Sequence, residues 1–356
     1  MKKSFLQSAS ILLIGSKPSH RSGLRKILVD MGADNHNIEV ASDYGQASSR
    51  LSGTPVQIVF SDEDLDSMAE TFELLKLHQK NNPETFNRLF ILTAGDISSI
   101  HRTDFMMKGG DLIISKPYTI GSFTSAFNEL LQKRAALSKD DKVALAVEDA
   151  LKSNDRDKAV EFVKAIKKPD SKPAFDSQGL IHQFDKDYLS AYQQFFSSAE
   201  KKVDVKSLVN LVSNGIKSKK YTELDSFVET WIKHHPLYSE SIPDITRVVL
   251  YNKKFHLLKE MSIDDQSARI PMAAGMVVAS SFYLDRGDKQ LSIEFAKKGI
   301  EFSGPKRNIM LRAFEILIKA GALAEAVKVF ENLKLQSLLS EDQPFLKTIK
   351  DLLQLK

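Results

Sequence analysis

Asp62, Thr93 and Lys116 are the residues whose types and placing could do chemistry in this chain. Each ends or follows a short apolar run: Asp62 comes after Val56 to Ser61, Thr93 closes Leu89 to Thr93, and Lys116 comes after Leu112 to Ser115. Such runs read as buried strands, and in an open parallel sheet functional groups gather at the carboxyl ends of the strands. A carboxylate, a hydroxyl and an ammonium meeting there could serve as a nucleophile and as donors to an anionic group. Taken singly, each has a plainer reading. Asp62 could cap a helix from an acidic loop shared with Glu63, Asp64 and Asp66, Thr93 could be a strand residue of good β propensity, and Lys116 a solvated lysine.

The elements that must position them alternate. Ile11-Leu12-Leu13-Ile14 is a continuous apolar run ending at Gly15, and Arg21 to Met31 then shows helical spacing through Leu24, Ile27 and Leu28. Strand Ile38 to Ala41, a helix around Tyr44 to Leu51, the strand before Asp62, and a helix around Thr71 to His78 follow. After the strand at Leu89 come a helix around Ile100 to Lys108, the strand at Leu112, and a helix from Ile120 to Leu137. Five strands alternating with five helices predict an α/β doubly wound five-stranded parallel sheet with helices on both faces.

The runs Phe60-Ser61-Asp62, Ile91-Leu92-Thr93-Ala94 and Ser115-Lys116-Pro117-Tyr118, with Gly109-Gly110-Asp111 before the last strand, make the resemblance specific. Residues 9–134 resemble the receiver domain of bacterial response regulators, a flavodoxin-like fold. The resemblance implies that Asp62 is the phosphoacceptor, that Thr93 contacts a phosphoryl oxygen, and that Lys116 neutralises its charge. It also implies a magnesium ion held by an acidic pair after the first strand. This chain departs from the family there: Gly15 has no side chain and Ser16 has only a neutral hydroxyl, while Lys17 adds positive charge. The expected cofactor is therefore none, or a weakly held magnesium ion on Asp62 and Asp64. The family's aromatic residue three places before the lysine is here Ile113.

From about Lys139 the pattern is helical throughout. The turns Lys219-Lys220-Tyr221, Lys253-Lys254-Phe255, Gly287-Asp288-Lys289 and Gly321-Ala322-Leu323 recur every 34 residues between apolar-periodic segments. Period and turns resemble tetratricopeptide (TPR) repeats, best around Ser280, Ser292 and Gly299, whereas Trp231, Asp265 and Phe314 stand where small residues are usual. A pair spanning Val143 to Lys152 and Asp157 to Ile166 resembles a further unit out of phase, and the segment Tyr188 to Lys201 is a helix without a place in the register. These readings divide the chain into a receiver-like domain, 1–137, and an all-α TPR-like helical-repeat solenoid, 138–356, with repeats near 140–168 and 204–338 and a capping helix at 341–356. Stacked repeats bury their faces against one another and leave an extended surface suited to a peptide or protein.

Other function classes find little support. The chain has no cysteine, so thiolate metal sites and cysteine catalysis are excluded. His182, His234, His235 and His256 do not form a metal-ligand pattern, because adjacent histidines point to different sides of a helix. Residues 1–134 hold 15 Lys+Arg and 15 Asp+Glu, so the net charge of +4 lies in the helical part as scattered clusters such as Lys217, Lys219 and Lys220. Met1-Lys2-Lys3 loosely imitates a secretory signal, but Ile11 to Ile14 is too short an apolar core. The expectation is a cytoplasmic two-component adaptor that is not an enzyme. Its partners would be a histidine kinase or another signalling protein, with no membrane insertion. One alternative is a response regulator phosphorylated at Asp62, and another is a nucleic-acid-binding protein using the basic helical residues.

Overall fold

The computed structural model of the chain describes residues 2–63, 67–254, 256–261, 269–304, 306–335 and 343–354. The five apolar runs form β1 (Ile11–Ile14), β2 (Ile38–Ala41), β3 (Ile58–Asp62), β4 (Leu89–Ala94) and β5 (Leu112–Ser115). All pair in parallel, in the order β2-β1-β3-β4-β5. Strand alternation divides the apolar residues between two cores. Ile11, Leu13, Ile58 and Phe60 point to the face covered by α1 (Lys2–Ser8), α2 (Pro18–Asp30) and α6 (Ile120–Ala135), where Leu6, Leu28, Phe123 and Phe127 are buried. Leu12, Ile14, Val59 and Phe90 point to the other face, against α3 (Tyr44–Gly53), α4 (Met68–Asn81) and α5 (Ser99–Met107). This is the predicted doubly wound sheet of flavodoxin-like receiver type. The lysine-led start of the chain, unread as structure in the sequence, supplies α1, whose Leu6 belongs to the first core.

The strand order reverses between β1 and β3, the chain passing from β1 to β2 on one side and from β3 to β4 on the other, so the loops after these two strands part and open a crevice at their carboxyl ends. Gly15 and Asp62 stand there. Asp62 is aligned across the ladder with Thr93 of β4, and Lys116 leaves β5 with its amide bonded to the Ala94 carbonyl at 2.6 Å. The topology alone thus brings the three predicted residues to one edge of the sheet.

The chain forms two compact units, Met1–Val203 and Asp204–Lys356. The first continues beyond the sheet with α7 (Lys139–Lys152), α8 (Arg156–Lys164), α9 (Lys172–Phe184) and α10 (Tyr188–Lys201). The boundary read at 137/138 falls inside this unit. The second comprises α11 (Val205–Lys217), α12 (Asp225–His234), α13 (Ile242–Tyr251), α14 (His256–Glu260), α15 (Arg269–Asp285), α16 (Lys289–Ser303), α17 (Arg307–Lys319), α18 (Leu323–Leu335) and α19 (Gln343–Leu353). Phe345, Leu346, Ile349 and Leu353 of α19 are buried in a cluster with residues of α15, α16, α17 and α18. No helix among the described residues is long and apolar enough to cross a membrane.

Among the described residues, six helix pairs share one turn. Asn154, Lys186, Lys219, Lys253, Gly287 and Gly321 have φ of 61°, 61°, 61°, 60°, 80° and 82°, at steps of 32, 33, 34, 34 and 34 residues. In each, the next amide bonds the carbonyl five residues back, from Asp155 to Ala150 at 2.8 Å through to Ala322 to Leu317 at 2.9 Å. This is the Schellman helix end, with the left-handed residue at C′. The pair at 140–168 is therefore offset by shortened steps. Tyr188–Lys201, without a place in the sequence register, is the second helix of a pair whose first is α9. That helix escapes the sequence pattern because Pro173, in its first turn, reads as part of a loop. Gly179 of α9 lies so close to Phe195 that a Cβ there would be 2.7 Å from the ring. Trp231 and Phe314 are accommodated with no exposure, the Trp231 indole donating to the Pro236 carbonyl at 3.0 Å, whereas Asp265 and Phe255 lie outside the described residues.

The shared turn yields a direct prediction. A residue with a Cβ is disfavoured in the left-handed region, so Lys219→Gly and Lys253→Gly should each raise the unfolding free energy by about 0.5–1 kcal/mol, net of the greater freedom glycine gives the unfolded chain. Gly287→Ala, where a Cβ would meet nothing within 4 Å, should lower it by a similar amount through the backbone alone. Urea midpoints of the full chain measure both, and a loss of stability in either lysine variant would contradict the account.

Candidate functional site

Asp62 closes β3 with only 6% of its surface exposed. A carboxylate so placed needs partners, and two side chains meet its two oxygens. The Lys116 ammonium makes an ion pair with Oδ1 and lies 3.5 Å from Glu63 Oε1. His20 Nδ1 lies 3.4 Å from Oδ2. Glu63 also accepts from the Gly95 amide, tying the end of β3 to the end of β4. The Thr93 hydroxyl is buried and donates to the Ser61 carbonyl at 3.5 Å.

The loop after β1 is shaped by α2. Pro18 lies in the first turn of that helix, which places His20 and Arg21 over the crevice. The Arg21 guanidinium donates to the Gly15 carbonyl and to the Ser16 carbonyl at 3.0 Å, holding the first two residues after β1. Gly15 is buried, and a Cβ there would stand 2.9 Å from Asp62 Cβ. The close approach therefore depends on the missing side chain. Tyr118, after the cis Lys116-Pro117 bond, covers the remaining side with its ring 5.5 Å from that of Phe123. Burial, and then the negative charge of Asp62, push its phenol above the usual range.

The cavity enclosed by His20, Arg21, Asp62, Thr93 and Tyr118 measures about 10 Å³, the room of one water. A wider groove of about 490 Å³ opens alongside, lined by His20, Leu24 and Ile27 of α2 and by Lys116, Pro117 and Tyr118.

At identities this low, comparison with known proteins bears on fold alone. No protein-family model matches the chain, and no curated protein matches it. Among solved structures, the chemotaxis response regulator CheY4 of Vibrio cholerae is 18% identical, covering 34% of this chain and 98% of its own, with a TM-score of 0.30. Full-length FixJ from B. japonicum is 14% identical, covering 60% of this chain and 98% of its own, with a TM-score of 0.32. NtrX from Brucella abortus is 17% identical, covering 50% of this chain and 40% of its own, also at 0.32. The receiver-type fold assigned to the N-terminal part rests on its own strand order and register.

Asp62, Thr93 and Lys116 are thus brought together as the sequence predicts. Asp64, the second candidate metal ligand, lies outside the described residues. Ile113 packs toward the core under α3, α4 and α5. Magnesium takes six oxygen ligands in near-octahedral geometry. Among the described residues no group of three or more acidic or histidine side chains is arranged to hold a metal. Asp62 faces an ammonium and an imidazole, Glu63 is engaged by an amide, and the Gly15 side of the crevice is filled by Asp62 itself. The described residues do not fit the ion. His20, Arg21 and Tyr118 are the site residues that sequence reasoning missed. For His20 and Arg21 the one signal is Pro18, which fixes where α2 begins, and for Tyr118 it is the preceding Pro117.

Proposed function

We propose that this chain is a two-component signalling adaptor without catalytic activity, in which a receiver-shaped domain binds a kinase or another signalling protein and the helical repeats hold a further protein. The observation that carries the proposal is the closed state of Asp62. Its oxygens face Lys116 and His20, its cavity has room for about one water, and the metal-binding pair is replaced by a glycine that Asp62 crowds. Phosphoryl transfer to a carboxylate relies on a cation to offset the charge gathering on the transferred group, and on space for that group. The groove beside α2, apolar at Leu24, Ile27 and Pro117 and polar at His20 and Lys116, suits a protein partner's helix.

A second reading, phosphorylation at Asp62 controlling the repeats, is favoured by the assembly of Asp62, Thr93 and Lys116 at one edge. Treating the full chain with acetyl phosphate and magnesium, followed by intact-mass spectrometry, separates the two. The adaptor reading expects no phosphoryl adduct beyond that of Asp62→Asn, and an adduct present in the wild type but absent from that variant would replace it with the second reading. The nucleic-acid alternative is less well supported. Lys220 is paired with Glu223 at 3.1 Å and Lys254 with Asp225 at 2.8 Å, so these lysines do not form an open basic stripe.

A further inference from the structure

His20 has one ring nitrogen fixed and the other turned to the groove along α2. Its Nδ1 lies 3.4 Å from Asp62 Oδ2, and a carboxylate can only accept, so in the neutral ring Nδ1 carries the proton and Nε2 keeps its lone pair. Asp62 is buried, whereas 43% of the His20 side chain is exposed, where it lines the groove of about 490 Å³. His20 makes no other hydrogen bond or ion pair among the described residues. An imidazole held in this way is a nucleophile, with a carboxylate behind it to stabilise the positive charge it gains on reacting.

The surroundings decide which electrophile the ring suits. Besides His20, the polar groups lining the groove are the Ser19 hydroxyl, the Lys116 ammonium and Tyr118, and no carboxylate lines it. The two carboxylates nearby are engaged elsewhere: Asp62 is buried, and Glu63 accepts from the Gly95 amide. An anionic group therefore fits beside Nε2, with a cation to meet it. His36 shows that the pairing alone does not make such a site, for its Nδ1 lies 3.0 Å from Asp34 Oδ1 while its side chain stands 93% exposed in solvent. The described residues hold no cluster for a metal ion, and this favours the ring over Asp62 as an acceptor. A phosphoryl group is dianionic, and a neutral nitrogen approaches it without the repulsion that a carboxylate meets.

We infer that His20 Nε2 accepts a phosphoryl group from a phosphoramide donor. The Nε2 lone pair forms the new N–P bond as the donor's P–N bond breaks, and the electrons of that bond leave with the donor nitrogen. With phosphoramidate, whose nitrogen is already protonated, the leaving group is ammonia. The proton on Nδ1 stays in place, so the phosphorylated ring is a cation facing Asp62, and the Lys116 ammonium offsets the charge of the phosphoryl oxygens. This chemistry does not rest on the adaptor reading. Under that reading its consequence is regulatory, because a phosphoryl group on His20 would occupy the groove offered to a partner's helix.

The test incubates the full chain with phosphoramidate and a chelator, without magnesium, and follows each histidine by peptide mass spectrometry. The expected result is an adduct on His20 that survives alkali, is lost in acid, and forms about tenfold or more faster than any on His36. Lys116→Gln, which can still donate to Asp62, should bring His20 down toward the rate of His36. In intact-mass measurements His20→Gln should abolish the fast adduct. Circular dichroism checks that both variants keep the fold. Reaction of His20 no faster than that of His36, or a rate at His20 indifferent to Lys116→Gln, would overturn the inference. An acyl phosphate on Asp62 is lost in alkali as well as in acid, so it is told apart from a phosphoimidazole. The adaptor reading and this inference therefore fail on different observations: the first on an alkali-labile adduct at Asp62, the second on the lack of a fast, alkali-stable one at His20.

Discussion

Asp111→Ala is expected to lower the unfolding free energy of the first unit by about 3–5 kcal/mol, the cost of stranding a buried charge by removing its partner. Asp111 precedes β5, and its carboxylate accepts from the Phe90 amide at 2.8 Å and from the Arg134 guanidinium. Burial pushes this carboxyl up, against the pull of Arg134 and of the amide. Arg134 also donates to the Thr85 carbonyl at 2.6 Å. Close by, Arg88 is 5% exposed and donates to the carbonyls of Asn82 and Pro83 at 2.6 and 2.8 Å, and burial lowers its pKa. Deleting the Asp111 carboxylate leaves two guanidiniums facing each other with less compensation and the Phe90 amide unpaired. Replacing both members, Asp111→Leu with Arg134→Met, should recover most of the loss, because it removes the charge along with its partner. Urea unfolding followed by circular dichroism measures this. A loss below about 1 kcal/mol in Asp111→Ala would mean the pair behaves as a solvated surface bridge.

The same cluster explains why the first unit extends beyond the receiver-like sheet. The Thr85 amide and hydroxyl donate to the two oxygens of Asp149 on α7, at 2.8 and 2.6 Å, across 64 residues of sequence. The segment 82–88 is thus held between Arg88 and Arg134 on the sheet side and Asp149 on the helical side. It lies before β4, at the amino end of the strands, opposite Asp62. Within this unit α7 is therefore tied to the sheet at the edge away from the crevice.

That attachment was not legible in the sequence. The change from strand–helix alternation to continuous helix near residue 138 is a change of period, and period reports local structure, not which polar side chain reaches back. The sheet was legible because Leu12 and Leu13, or Val59 and Phe60, are apolar at consecutive positions, a pattern a strand buried on both faces requires. Asp62, Thr93 and Lys116 were legible because each interrupts such a run at its end. Gly15 showed the absence of a carboxylate, but that a Cβ there would stand 2.9 Å from Asp62 Cβ is a fact of packing. Gly287 and Gly321 announced their turns, as did Asn154, asparagine being a usual substitute for glycine there, whereas Lys186 adopts the same left-handed conformation with a side chain that does not mark it.

His78 should make stability depend on pH. It continues the buried stripe of α4 after Thr71, Leu74 and Leu75, has no exposed surface, and bonds the Val56 carbonyl through Nε2 at 2.7 Å. Facing a carbonyl, Nε2 must carry the proton, so the neutral ring is satisfied there while Nδ1 has no partner among the described residues. The Phe90 ring, 5.8 Å away, and the charge of Arg88 are its other neighbours. Burial, opposed by the Val56 bond and aided by Arg88, lowers its pKa from 6.5 to about 4. Between those values the unfolded chain binds a proton that the folded one refuses, so stability rises with pH across the window. It is fully present above pH 6.5, is lost as pH falls toward 4, and changes no further through this group below that. The contribution is about 3 kcal/mol. His78→Gln keeps a donor for Val56 and removes the titration, so its unfolding free energy should fall less than the wild type's between pH 6.5 and 4, by about that amount. Parallel pH profiles for the two proteins would show that His78 titrates alike in both states.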